Sequence, residues 1–274
     1  MSAVPAAPPS ASAEAAAPLG AARTFLARIG ALCLVELQRL RHDRSELYTR
    51  AIQPMLWLVV FGETFNRLHA IPTGDLPYID FLAPGVLAQS ALFISIFYGI
   101  QIIWERDAGI LAKLLVTPTP RTALISGKAF AAGIRAFSQV VVVLIISALL
   151  GVALTTNPLK LAGAALAVWL ATAFFSCLSM SIAGIVLKRE RLMGIGQAIM
   201  MPLFFASNAL YPIALMPAWL QAISKVNPLS YEVDALRGLL LGTHAHLALD
   251  FAVLAGAAVA GILLAASLLD RLAR

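Results

Sequence analysis

Six long apolar runs, each closed by charge, Pro or Gly, dominate the chain at about residues 51–68, 81–103, 129–154, 159–187, 193–211 and 247–269. A hydrocarbon core about 30 Å thick is crossed by roughly 20 apolar residues in a helix, so each run has the length of a span. The runs are continuous rather than alternating. They predict helices and not a β-barrel, since backbone polar groups in lipid must pair internally. The expected fold is all-α and polytopic, with six transmembrane helices in one domain over residues 51–270.

The segments between the runs have patterns of their own. Residues 23–50 carry too much charge to cross, yet Leu26, Ile29, Cys33, Leu37 and Leu40 recur at helical spacing. This predicts an amphipathic helix on the inner interface, with its Arg side chains at anionic headgroups. A soluble helix docked on a partner is the alternative. Between runs five and six, "YPIALMPAWLQAISKVNPLSYEVDALRGLLLGTHAHL" is too polar to cross and too apolar for a free loop. Two short outer helices are expected there, re-entrant or interfacial and broken at Asn227 and Pro228. Pro217 opens the first, with Trp219, Leu220 and Ile223 on one face. Ser230 caps the second and Gly242 ends it.

After run two comes "WERDAGILAKLLVTPTPRTALISGK". Asp107 is placed to cap a short helix whose apolar face is Ile110, Leu111, Leu114 and Leu115, with Ala112 and Lys113 opposite. Pro118 and Pro120 stop it, and a new helix starts near Arg121 and runs into the third span. The piece reads as an elbow lying along the membrane. A boundary marker followed by a turn is the plainer alternative.

Charge placement gives the orientation. With the N-terminus cytoplasmic, sixteen of the twenty Lys and Arg residues fall inside, leaving Arg67, Lys160, Lys225 and Arg237 outside. Both termini and the elbow are then cytoplasmic. The net charge of +6 reflects topology rather than nucleic-acid binding. Residues 1–22 have neither the basic start nor the apolar core of a signal peptide and read as a disordered Ala/Pro-rich tail.

Catalytic chemistry is not indicated. The "SGKA" at 126–129 departs from a phosphate-binding loop, which needs Gly at 122 and Ser or Thr at 129, where Thr122 and Ala129 stand. The chain is therefore expected not to hydrolyse ATP by itself. Cys33 and Cys177 form no metal spacing, and "HAH" at 244–246 has no third ligand nearby. No clustered His, Asp or Glu points to a lipid-modifying enzyme.

Two separated motifs, "ERDAGILAKLLVTPTPRTALISGK" and "SNALYPIALMPAWLQAISKVNPLSYEVDALRGLLLG", resemble those of the ABC-2 type permeases. These are membrane subunits of bacterial ABC exporters, and the resemblance is to the drug-resistance and nodulation-export branch over about residues 25 to 270. It implies that Glu105, Arg106, Gly109, Leu114, Leu115, Pro118 and Lys128 belong to a coupling helix pressed on a separate ABC ATPase subunit. It further implies two ATPase copies, a second permease copy in a homodimer, and ATP with magnesium on the ATPase rather than any cofactor on this chain. The expected setting is the bacterial inner membrane, where an amphiphilic, drug-like or lipid- or glycan-linked substrate moves outward by alternating access. Ala112 departs from the polar residue common at its position, which puts one docking contact in doubt.

Glu63, Asn208, Tyr211, Asn227, Pro228, Glu232 and Arg237 are read as the outer gate or path. Local pairing of Glu63 with Arg67, and of Asp234 with Arg237, are the plainer alternatives. Arg135 is expected to snorkel inward. Asn208, Gln89, Gln101, Gln139 and Gln197 place amides at membrane depth, either bonding neighbouring helices or lining a path. An ion-gradient-driven secondary transporter is the rival function, for which Glu63 is the candidate intramembrane acid.

Overall fold

The computed structural model describes residues 27, 29–38, 44–68, 71–74, 76–116 and 120–273. The tail at 1–22, most of the predicted stripe's flanks (Leu26 and Leu40), and Pro118 lie outside the described residues. The described residues form helices and no strand.

Helix α1 covers Ile29–Gln38. Helix α2 (Arg44–Leu56), a π-helical turn (Trp57–Gly62) and α3 (Glu63–Leu68) then follow without interruption. The π turn begins three residues after Pro54, whose missing N–H breaks the α ladder locally. Among the described residues, four helices are long and apolar enough to cross a membrane: α4 (Tyr78–Asp107), α6 (Arg121–Leu149), α7 (Pro158–Val186) and α11 (Leu247–Ala273). Between the first two lies α5 (Ile110–Val116), the short helix of the elbow.

The fifth apolar run behaves differently from its prediction. Helix α8 is Arg189–Phe205, and the chain then turns rather than continuing to 211. Ser207 Oγ donates to the Phe204 carbonyl at 2.7 Å, a local bond that competes with the helical ladder. Asn208 and Tyr211 therefore lie on a loop. Two short helices follow, α9 (Ala218–Val226) and α10 (Pro228–Leu240), parted at Asn227.

Helix α7 is the centre, packed against α4, α6, α10 and α11. It is apolar all round, as a helix buried among others must be. Buried Ala164, Ala167, Ala171 and Ser179 keep its surface low, so neighbouring backbones approach closely, the means by which helices associate in lipid. Ser179 Oγ donates across to the Ile96 carbonyl of α4 at 2.8 Å. Outward-facing Ile52, Val60, Met201, Phe205 and Leu263 give the exterior an apolar character suited to lipid or a second protein.

The buried stripe of α1 is not the predicted one. Leu37 is exposed, whereas Leu32 packs on the core and Glu36 is buried, paired with Arg135 of α6. Arg135 thus meets a protein carboxylate instead of reaching the interface. The tether accounts for a charged residue about four turns inside α6.

Candidate functional site

One end of the molecule is a charge-locked elbow. Helix α4 ends at Asp107, and Gly109, at φ +68°, turns the chain into α5. A side chain rarely adopts that backbone conformation, so glycine sets the corner. Leu111 is buried, and Leu114 and Leu115 pack partly against the same inner core, while Ile110, Ala112, Lys113 and Val116 face outward. The predicted apolar face holds except for Ile110, which the glycine corner rotates away.

Three polar locks hold this corner. The Lys128 ammonium pairs with the Glu105 carboxylate, whose other oxygen accepts from Gln101 Nε2 at 3.3 Å. Both charges are largely buried, and the pair ties α4 to α6. Arg106 Nη2 donates to the Leu187 carbonyl at 2.9 Å and to Asp107 Oδ1 at 2.8 Å. Leu187 sits at φ +58°, a left-handed conformation for a branched residue, at the sharp turn between α7 and α8. Finally, Arg189 Nη2 donates to Asp107 Oδ2 at 2.6 Å, and its guanidinium lies 4.5 Å from the Trp104 ring centroid.

Asp107 therefore does not cap α5 as the spacing had predicted; its carboxylate is taken by two arginines. Hydrogen bonds from Arg189, then Arg106, hold that carboxyl below the usual aspartate range. A depressed value favours the folded pairing above the ordinary carboxylate range and lets it go only in acid. Lys128, the residue that superficially completes a phosphate loop, lies inside α6 with its charge already matched.

The opposite end of α4 meets a second polar junction. Arg237 of α10, almost fully buried, donates from Nη2 to the carbonyls of Phe81 at 3.2 Å and Asn208 at 2.5 Å, and from Nε to Phe81 at 3.3 Å. It also lies 3.5 Å from the Phe81 ring centroid. Burial draws its pKa down to about 9, against the opposing field of Asp234, so the charge persists at neutral pH. Asn208 in turn donates its amide to Asp234, so the predicted pairing of Asp234 with Arg237 is replaced by a bridge through the 206–211 turn. Tyr211 donates to the Phe205 carbonyl at 2.7 Å, closing the turn on itself.

Asn227, rather than Ser230, caps α10: its Oδ1 accepts from Leu229 N at 3.1 Å, and Pro228 fills the first helical position. Its amide donates to the Leu203 carbonyl of α8 at 2.7 Å. Ser230 instead bonds Ser224 at 2.9 Å, pinning α9 to α10. Trp219 and Ile223 of α9 are left exposed, as on a helix lying in an interface.

Asn208 and Tyr211 lie in the turn that Arg237 binds, Asn227 bonds the last turns of α8, Pro228 opens α10, and Glu63 does not join them. It pairs with Arg67 at 3.5 Å on the exposed end of α3. Glu232 is fully buried on α10 with neither oxygen hydrogen-bonded among the described residues, and burial pushes its carboxyl well above the ordinary range. Asp80 and Asp250 are buried as well.

Sequence reasoning missed Arg189 and Asp107 as elbow locks and Gly85 as the contact for the outer turn. The signal for the first was the basic cluster "KRER" at 188–191, which had been read only as topology.

This architecture matches a known family: the profile of the ABC-2 type transporter family fits residues 27–241. The chain belongs to that family. It is 31% identical over 204 residues to the ycf38 transport permease of Cyanophora paradoxa, covering 73% of this chain and 70% of that one. It is also similar to the daunorubicin resistance ABC transporter permease protein DrrB1 of Streptomyces coeruleorubidus, 25% identical over 74% of this chain and 71% of that one. Nodulation protein J of Rhizobium meliloti is 24% identical over 80% of this chain and 83% of that one. As an ABC-2 family member with four long apolar helices, the chain is a membrane subunit of an ABC transporter.

Proposed function

We propose that this ABC-2 subunit works in export, as one of two identical permease copies coupled to two copies of a separate ABC ATPase. The helical path over 44–68 and the 17-residue α8 add two crossings to the four long helices. With six crossings, both termini and the elbow lie on the cytoplasmic face of a bacterial inner membrane, in line with the placement of Lys and Arg. The cargo is amphiphilic, drug-like or lipid- or glycan-linked, in keeping with the drug-resistance and nodulation names of its relatives. ATP and magnesium act on the partner subunit; this chain contributes motion, not hydrolysis.

One observation carries the reading: α5 offers an outward face at Ala112, Lys113 and Val116 while its base is locked to three other helices. A push on that face travels through Glu105 and Lys128 into α6. It also travels through Arg106 and Asp107 into the turn between α7 and α8. A differential contact of this kind is what lets ATP binding on one subunit bias inward-open against outward-open states on the other. Gly109, Leu114 and Leu115 set the corner and its seat.

The rival, transport driven by an ion gradient, has the unpartnered Glu232 in its favour. One reconstitution separates the two. The chain co-expressed with its ATPase should purify as a complex whose ATP hydrolysis drives cargo movement. Glu105→Gln leaves the largely buried Lys128 without its counter-charge, so it should loosen the link between α4 and α6 and lower transport per ATP in the complex that still assembles. Uptake by the chain alone under a pH gradient, with no ATPase bound, would establish the rival instead.

A further inference from the structure

Two neighbouring cavities with polar side chains follow α4 through one half of the molecule, the second reaching Gln101, Trp104 and Glu105 at the elbow. A cavity of about 410 Å³ is lined by Thr49 and Gln53 of α2, Ser90, Phe93 and Phe97 of α4, and Gln139 of α6. A second, of about 510 Å³, is lined by Phe97, Gln101, Trp104 and Glu105 of α4 and Arg135 of α6. Phe97 stands between the two, which lie in succession along one side of α4 as a groove in two parts. Each volume falls in the roughly 300–1,000 Å³ range of small-molecule sites.

Helical geometry aligns these groups. Thr49 and Gln53, like Arg135 and Gln139, are four residues apart, and Ser90, Phe97, Gln101 and Glu105 recur at intervals of about one or two turns. From Glu105 to Ser90 the groove climbs about 22 Å along α4, from the cytoplasmic edge towards mid-membrane. Polar groups at such depth are costly unless they meet partners.

The charges in the groove are already matched: Arg135 by Glu36, and Glu105 by Lys128. A charged ligand would lose its hydration with no free counter-charge to gain. The amide of Gln53, by contrast, makes no hydrogen bond among the described residues, and it offers both a donor and an acceptor. Phe93, Phe97 and Trp104 add flat faces beside the amides.

We propose that this groove is an inner-leaflet subsite for an uncharged amphiphile, whose hydroxyl- or carbonyl-bearing ring head is held by Gln53 beside Gln139 and lies against Phe97. The proposal rests on the transport reading and specifies where and by what chemistry cargo is first held, with the Gln53 amide as the holding group and Gln139 as a neighbouring wall. The head enters beside Trp104 and climbs along the amides, while the apolar tail stays in lipid beside exposed Phe97 and Ile52.

The test uses the permease–ATPase complex in phospholipid nanodiscs. Four probes share one diazirine-bearing dodecyl chain and differ in head: glucoside, phosphate, phosphocholine and trimethylammonium. The glucoside should label peptides carrying Gln53 and Phe97 at least fivefold more than the other three. Gln53→Leu should lower that labelling about fivefold, the loss of a hydrogen bond or two. Unlabelled dodecyl glucoside, but not dodecyl phosphate, should compete it away on the unmutated complex, which decides the matter even if the variant fails to assemble. Equal labelling by all heads, labelling only elsewhere, or labelling indifferent to both Gln53→Leu and the competitor would overturn the subsite. ATP hydrolysis is read on the same sample. Hydrolysis without groove labelling sinks the subsite and leaves the exporter reading standing, whereas groove labelling on a chain that binds no ATPase sinks the exporter reading alone.

Discussion

Arg237→Gln should cripple the outer half of the protein. The guanidinium joins α10 to the first turns of α4 and to the 206–211 turn, and no shorter side chain reaches the Phe81 and Asn208 carbonyls together. Its removal leaves those acceptors and the neighbouring Asp234 without their cation. Breaking a buried charged network by deleting one member costs about 3–5 kcal/mol. The midpoint of thermal aggregation in detergent should drop by on the order of 10 °C. Arg237→Lys should recover only part of the loss, because an ammonium is a point charge and not a planar fork. An unchanged midpoint for Arg237→Gln would mean that the junction is not held by this residue.

Gly85→Ala should damage the same junction from the opposite side. A Cβ at Gly85 would collide with the carbonyl and backbone of Ala209. Neither side can yield cheaply, since helix backbone faces loop backbone across the contact. The turn must retreat, taking the Asn208 carbonyl away from Arg237. Overpacking of this kind costs about 1–3 kcal/mol. Because both substitutions break one contact, their combination should cost clearly less than the two separate losses added together. Full additivity in thermal-aggregation measurements on the double variant would show that the glycine and the arginine act independently.

The apolar runs made the helices legible because length and hydropathy alone decide what crosses a membrane. The elbow was legible for a related reason: a charged, proline-broken segment between two spans has few other places to lie. What was hidden depended on three-dimensional pairing. Asp107 looks like a cap in sequence, yet two arginines, one of them 82 residues distant, hold it elsewhere. Arg135 looks like a snorkelling residue until Glu36 is found against it. The early end of α8 was hidden because no charge, Pro or Gly stands between Phe205 and Tyr211, and the stop comes from the carbonyl-binding Arg237 and the local bond of Ser207. The polar groove was hidden for the same reason: Thr49, Gln53, Ser90 and Gln139 are separated by long stretches of sequence and become one surface only when α2, α4 and α6 pack.

The central claim is that α5 receives the ATPase, and contact from its outward face tests this most directly. A photo-crosslinking amino acid replaces Lys113 in the co-expressed complex, with a control of the same kind at Trp219 on the outer helix α9. The account predicts an ATPase adduct from position 113 whose yield changes when ATP is trapped on the partner, and none from position 219. No ATPase adduct from position 113, in a complex that still transports, would contradict it.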